Sequence, residues 1–226
     1  MQKQSQARIF LADNYPHRQT NEYRNISVFN DDAPTFNNLT AVNDITLAES
    51  KTVELNPESA LLVLPLVGSL RINMDGKNGV LECGELLLAN NVRSLTVENP
   101  FTQYLVNFLA IEIAQPLGET AISHQYPFDL NSNTNDLLTV YSKSSMCFVL
   151  GKFEMRRKTI YYPQNRNSTC FCFVIQGSFE IEGRLLHERD ALTIWDTSEL
   201  EVESLGKESI LLLIEQNNLS ENPIKL

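Results

Sequence analysis

The chain has 226 residues, of which 42% are hydrophobic and 20% charged, and its formal net charge is -10. That is enough apolar material for a packed core, whereas a surplus of acid with no run of Lys and Arg argues against direct binding to nucleic acid. No apolar stretch approaches the roughly 20 residues of a membrane span, and MQKQSQARIFLAD lacks the apolar region and cleavage site of a secretory leader, so a cytoplasmic protein without a membrane partner is expected.

Taken in chain order, the predicted elements are strands. SALLVLPLV, GELLLAN and YLVNFLAIEI are short apolar runs separated by Gly, Asn and Asp turn signals. SALLVLPLV is apolar at consecutive positions, which predicts a strand buried on both faces and large side chains filling the interior beside it. PFDLNSNTNDLLTVYSKS, with its Asn and Ser clusters, predicts a helical turn or two in a connector. Beyond it, CFCFVIQG, FEIEG, DALTIWD and ESILLLIE resume the strand pattern.

The second set of strands echoes the first. VGSLRI at 67–72 returns as QGSFEI at 176–181, which places Gly68 and Gly177 109 residues apart. LECGELLL at 81–88 returns as LHERDALT at 186–193, and YLVNFLAIE at 104–112 as SILLLIE at 209–215. A period this long means a duplicated domain, because solenoid repeats run to about 20–50 residues. Strand, Gly turn, strand, hairpin, acidic residue opening a new strand and a final apolar strand is jelly-roll order. The expected architecture is therefore all-β: two jelly-roll β-sandwich domains, 1–125 with the leading segment and 126–226 with the connector.

RIFLADNYPHRQTNEYRNISVFN, FNNLTAVNDITLAES and LLVLPLVGSLRINMDGKNGVLECGELLLANN resemble the opening and first cupin of the pirin-like bicupins, and FVIQGSFEIEGRLLHERDALTIWD resembles their second cupin. The resemblance, which covers nearly the whole chain, implies a relation to pirin and to quercetin 2,3-dioxygenase, whose first cupin holds a divalent metal with three histidines and one glutamate. Counting back from Gly68, the family's His-x-His step falls on Glu54 and Asn56, or on Asn56 and Glu58 with a gap. The other two ligands fall at Leu95 and Val97, with Glu98 adjacent. None of these residues is histidine, and Leu and Val donate nothing to a metal. An improvised set from Glu54, Asn56, Glu58 and Glu98 would be all-oxygen, suited to a hard cation.

Other chemistry finds little footing. His17, His124 and His187 lie in three separate segments, and Cys83, Cys147, Cys170 and Cys172 show no Cys-x-x-Cys spacing. On a strand Cys170 and Cys172 share one face, and buried reduced thiols are expected. No nucleophile elbow and no glycine-rich phosphate loop is present. Arg156, Arg157 and Lys158, followed by Tyr161 and Tyr162, form the one local reversal of charge, and Trp195 reads as a packing residue between the cupins. The expectation is a metal-free, non-catalytic pirin-like bicupin with no cofactor, binding a small apolar molecule or a protein partner. The alternative is a metal-dependent oxidoreductase of the quercetin 2,3-dioxygenase type with nonstandard ligands.

Overall fold

In the computed structural model, which describes residues 5–29, 38–115, 117, 122–143 and 146–217, the apolar runs form strands and the Gly, Asn and Asp positions between them form turns. The chain divides into two compact units, residues 14–128 and residues 1–13 with 129–226. It opens with β1 (Gln6–Phe10) and a 3-10 turn at Ala12–Asn14. β1 joins a sheet of the second unit, so the leading segment, expected with the N-terminal cupin, is shared between the two.

Residues 14–128 contain β2 (His17–Gln19), β3 (Tyr23–Ser27), β4 (Leu39–Leu47), β5 (Thr52–Leu55), β6 (Ala60–Val67), β7 (Leu70–Met74), β8 (Lys77–Leu81), β9 (Glu85–Asn90), β10 (Leu95–Glu98), β11 (Val106–Ile113) and β12 (Ile122–Pro127). They form a seven-stranded sheet, β12-β9-β6-β11-β4-β3-β2, and a four-stranded sheet, β5-β10-β7-β8. β6 is buried at six successive residues from Ala60 to Pro65, as its unbroken apolar run predicts.

The second unit contains β13 (Asp136–Lys143), β14 (Met146–Phe153), β15 (Lys158–Tyr161), β16 (Thr169–Gln176), β17 (Phe179–Ile181), β18 (Arg184–Leu186), β19 (Ala191–Trp195), β20 (Leu200–Ser204) and β21 (Ser209–Gln216). Its sheets run β1-β19-β16-β21-β14-β13 and β15-β20-β17-β18. Adding ten to each label maps β9-β6-β11-β4 onto β19-β16-β21-β14 and β5-β10-β7-β8 onto β15-β20-β17-β18, so the sequence repeat is a repeat of topology. The remaining strands decorate edges: β12 covers β9 in one unit, and β1 covers β19 in the other.

The connector is not helical. A turn over 130–133, in which the Asp129 carboxylate accepts the Asn131 N–H at 2.9 Å, leads into β13, which pairs antiparallel with β14. The Asn and Ser residues cap this turn, while Thr139, Val140 and Tyr141 prefer the pleated surface that β14 offers.

Each unit has its own apolar core between its two sheets. In the first, Leu61, Val63, Leu70, Ile72, Leu87, Leu95, Val97 and Phe108 are buried, with Val53, Leu55 and Met74 packed against them. In the second, Val149, Phe153, Cys170, Cys172, Phe179, Ile181, Leu192, Val202 and Leu213 are buried together. Burying each such aliphatic or aromatic side chain contributes about 1.5–3 kcal/mol. Gly68 and Gly177 turn the chain between the sheets at φ +76° and +80°, a conformation that favours glycine.

Candidate functional site

The four-stranded sheet of the first unit sends two rows of side chains inward. Its registers align Val53, Val97, Ile72 and Gly79 in one row and Leu55, Leu95, Met74 and Lys77 in the next. Leu95 and Val97 are fully buried, as strand alternation requires. Glu54 and Asn56 are exposed, and the residues of β5 that reach the core are Val53 and Leu55. The T-V-E-L alternation turns the apolar pair inward and the carboxylate out. Glu58 is also exposed, and Glu98 pairs with Arg71 on the neighbouring strand. The four carboxylate and amide groups therefore do not converge on the interior.

Nor do the histidines. β2, with His17, and β12, with His124, stand at opposite edges of the seven-stranded sheet. The His124 ring lies 4.6 Å from that of Tyr126, and His187, in the other unit, sits on the turn before β19 with its backbone N–H bonded to Asp190. Among the described residues no group of three His, Cys, Asp or Glu is arranged to hold a metal ion.

The first unit is open at one flank. Between edge strand β8 and β9–β12 lies a cleft of about 350 Å³ lined by Ile72, Met74, Leu87 and Gly79, with Lys77, Asn78, His124 and Gln125 at its rim. Gln125 donates its side-chain N–H to the Val80 carbonyl at 2.8 Å and ties the two edges together. The floor belongs to the same inward rows as Val97 and Leu95. Gly79, at an inward position in register with Ile72, contributes no side chain to the opening.

The second unit instead holds a buried polar group. Glu215 on β21 lies between Cys147 on β14 and Cys170 on β16, all in register, and is 1% exposed. Tyr161, from the opposite sheet, donates its hydroxyl to Glu215 at 2.6 Å, and the Gln164 backbone N–H donates to the other oxygen at 2.8 Å. The Gln164 side chain in turn donates to Ser142 at 3.1 Å, so the loop after β15 is latched across this end of the sandwich. Burial pushes the thiols of Cys147 and Cys170 up, and that of Cys172 up to about 12, so at neutral pH they sit in the core as neutral thiols. The corresponding residue of the first unit is Glu112, in register with Ala41 and Leu61. The shared Glu closing LAIE and LLIE was the available sequence signal for both, although nothing local marked Tyr161 as the partner.

Burial, and secondarily the charge of Glu58, raises the Glu112 carboxyl above its ordinary range. The native state thus holds this proton to higher pH than the unfolded chain, and stability falls as pH rises through that window. Glu112→Gln is expected to raise the thermal midpoint at pH 7 and to have no effect below about pH 4, where the ordinary carboxyl is also protonated. Melting curves of both proteins across pH 3–7 would show the gain shrinking as pH falls, and a constant gain would refute it.

Within the basic cluster Arg157 pairs with Glu154 at 3.3 Å and Lys158 with Glu201 and Glu203 at 3.0 and 2.9 Å, so two of its three charges are already met by acids. Trp195 is half-buried on β19 and donates its indole N–H to Gln6 of β1 at 2.8 Å.

Known proteins with this arrangement are distant in sequence. Residues 131–215 match the model of the quercetinase C-terminal cupin domain. Bacterial pirin YhhW from Escherichia coli, solved in complex with nickel(II), superposes with a TM-score of 0.82 at 14% identity over 95% of this chain and 100% of its own. The fold is that of the pirin-like bicupins. GK1651 from Geobacillus kaustophilus (TM-score 0.71, 13% identity, 98% of this chain and 100% of that one) and a quercetin 2,3-dioxygenase from Acinetobacter baumannii (0.74, 14%, 97% and 81%) share it. No curated protein matches the chain in sequence.

On this fold the donor set matters most. The positions of β5 and β10 that reach the interior are Val53, Leu55, Leu95 and Val97, two cross-strand pairs with no lone pair to offer. A first-row metal needs imidazole, carboxylate or thiolate at about 2–2.3 Å, so these residues do not fit the metal that the resemblance implies. No helix among the described residues is long and apolar enough to cross a membrane.

Proposed function

We propose that this pirin-like bicupin acts without a metal and without catalysing a reaction, as a binding protein for a small apolar molecule. The observation that carries the reading is the packing of Val53, Leu55, Leu95 and Val97 into the core, where a metal-dependent relative needs donors. Apolar side chains filling this space forgo Lewis-acid and oxygen chemistry and gain burial free energy. The alternative, an oxidoreductase of the quercetin 2,3-dioxygenase type with oxygen ligands, draws no support from Glu54, Asn56, Glu58 and Glu98, which lie outside the core.

Protein purified without chelator or affinity metal is expected to carry iron, manganese, nickel, copper and zinc each at far below one atom per chain by elemental mass spectrometry, and to consume no oxygen with a flavonol. A ratio near one for any of these metals, with oxygen-dependent flavonol turnover, would overturn the proposal.

A further inference from the structure

At one inward position the difference between the two halves of the duplication creates a site. Ile72 faces Gly79 across β7 and β8, just as Ile181 faces Arg184 across β17 and β18. In the second unit Arg184 occupies the flank: its guanidinium donates to the Glu182 carbonyl at 3.0 Å and to the Ser5 carbonyl, just before β1, at 2.7 Å. β1 and β12 are equivalent edge strands, so Arg184 spans the gap that remains between β8 and β12 in the first unit. In the first unit the Gln125 side chain crosses to the Val80 carbonyl instead, and Gly79 adds no side chain beside it.

We infer that the β8–β12 cleft is a binding site for a small, flat apolar molecule bearing one anionic group, a class represented by aromatic carboxylates. This rests on the metal-independent binding role proposed above and names its ligand class. Ile72, Met74 and Leu87 supply an apolar floor, and about 350 Å³ falls within the size range of ligand pockets. Lys77 stands at the end of the inward row that contains Leu55, Leu95 and Met74, and no acidic residue lines the cleft. No partner among the described residues pairs with the Lys77 ammonium. In a chain of net charge -10, an uncompensated cation beside an apolar floor selects a carboxylate over a neutral or cationic analogue of the same shape.

The probe is 2-naphthoate, compared with 2-naphthalenemethanol and 2-naphthylmethylamine by calorimetry on the full chain, with metal content measured on the same preparation. The carboxylate is expected to bind at least about ten-fold more tightly than the alcohol, and the amine more weakly than either. Gly79→Leu, at a position with an ordinary backbone angle where a Cβ would meet Ile72 Cγ1 at 3.3 Å, is expected to abolish naphthoate binding with only a small fall in the thermal midpoint. Lys77→Glu, at an exposed residue, is expected to reverse the preference in favour of the amine even if the Leu variant folds poorly. Equal binding of acid and alcohol, or a preference untouched by Lys77→Glu, would overturn the site. Stoichiometric metal together with Lys77-dependent naphthoate binding would refute the metal-independent role and leave the site standing, whereas metal-free protein that binds no naphthoate refutes the site alone.

Discussion

Tyr161→Phe is expected to destabilise the second cupin by about 2–3 kcal/mol, because it removes one of two hydrogen bonds to a buried acid and leaves that oxygen with nothing to replace water. Glu215 is 1% exposed and receives the Tyr161 hydroxyl on one oxygen and the Gln164 N–H on the other, so the loss cannot be made good by solvent. For a chain of this size the thermal midpoint should fall by about 5–10 °C. Tyr162→Phe, at an exposed neighbour, should leave it unchanged. The variant also has a pH signature. Burial, then the bond to Glu215, raises the Tyr161 phenol well above its ordinary value. The unfolded chain therefore loses this proton first, so stability is retained below about pH 10 and falls as pH rises beyond it. Phenylalanine lacks that term, and the gap between parent and variant should narrow above pH 10. A gap that stays constant to pH 11, measured by chemical unfolding, would mean that the phenol does not bond Glu215 in solution.

Gly177→Ala is expected to cost about 2–4 kcal/mol, through a left-handed backbone angle and a collision inside a packed corner. A Cβ at Gly177 would lie 2.9 Å from Ser209 Cβ and 3.0 Å from its Cα, at φ +80°. Ser209 is fully buried at the start of β21, so its backbone cannot yield. Gly68→Ala meets side-chain atoms instead, Val106 Cγ1 at 2.8 Å and Phe101 Cε2 at 3.2 Å, which can shift, so its cost should be smaller. Gly183→Ala has the same backbone sign, φ +69°, but nothing within 4 Å, and should cost only the conformational term, about 1 kcal/mol. Urea unfolding of the three variants should rank them in that order. Equal effects would mean that the backbone angle alone governs the corners.

The duplication was legible because it was written in adjacent residues: the Gly-Ser step after each central strand, and apolar runs whose period fits a pleat. The connector was misread because Asn and Ser serve helix caps and tight turns alike, and the pairing of Thr139 to Tyr141 with β14 is a tertiary fact. That Glu54 and Asn56 face outward was legible in part, because Val53 and Leu55 already marked the apolar face of β5. The β8–β12 cleft brings together Gly79 and a strand more than forty residues away, and the Tyr161–Glu215 bond joins opposite sheets. Neither relation leaves a trace in local sequence.

Finally, β1 bears on how the protein is made. Gln6–Phe10 is synthesised more than 180 residues before its partner, Ala191–Trp195, emerges from the ribosome. Until then β1 is a tethered strand without a ladder, and when β19 appears, its outer N–H and C=O groups present a template that any extended segment can join. Because β1 is attached to the same polypeptide, its high effective concentration lets it outcompete strands from other nascent chains. The antiparallel register from Gln6 through Phe10 thus works as a built-in safeguard against self-association while β20 and β21 are still to be added.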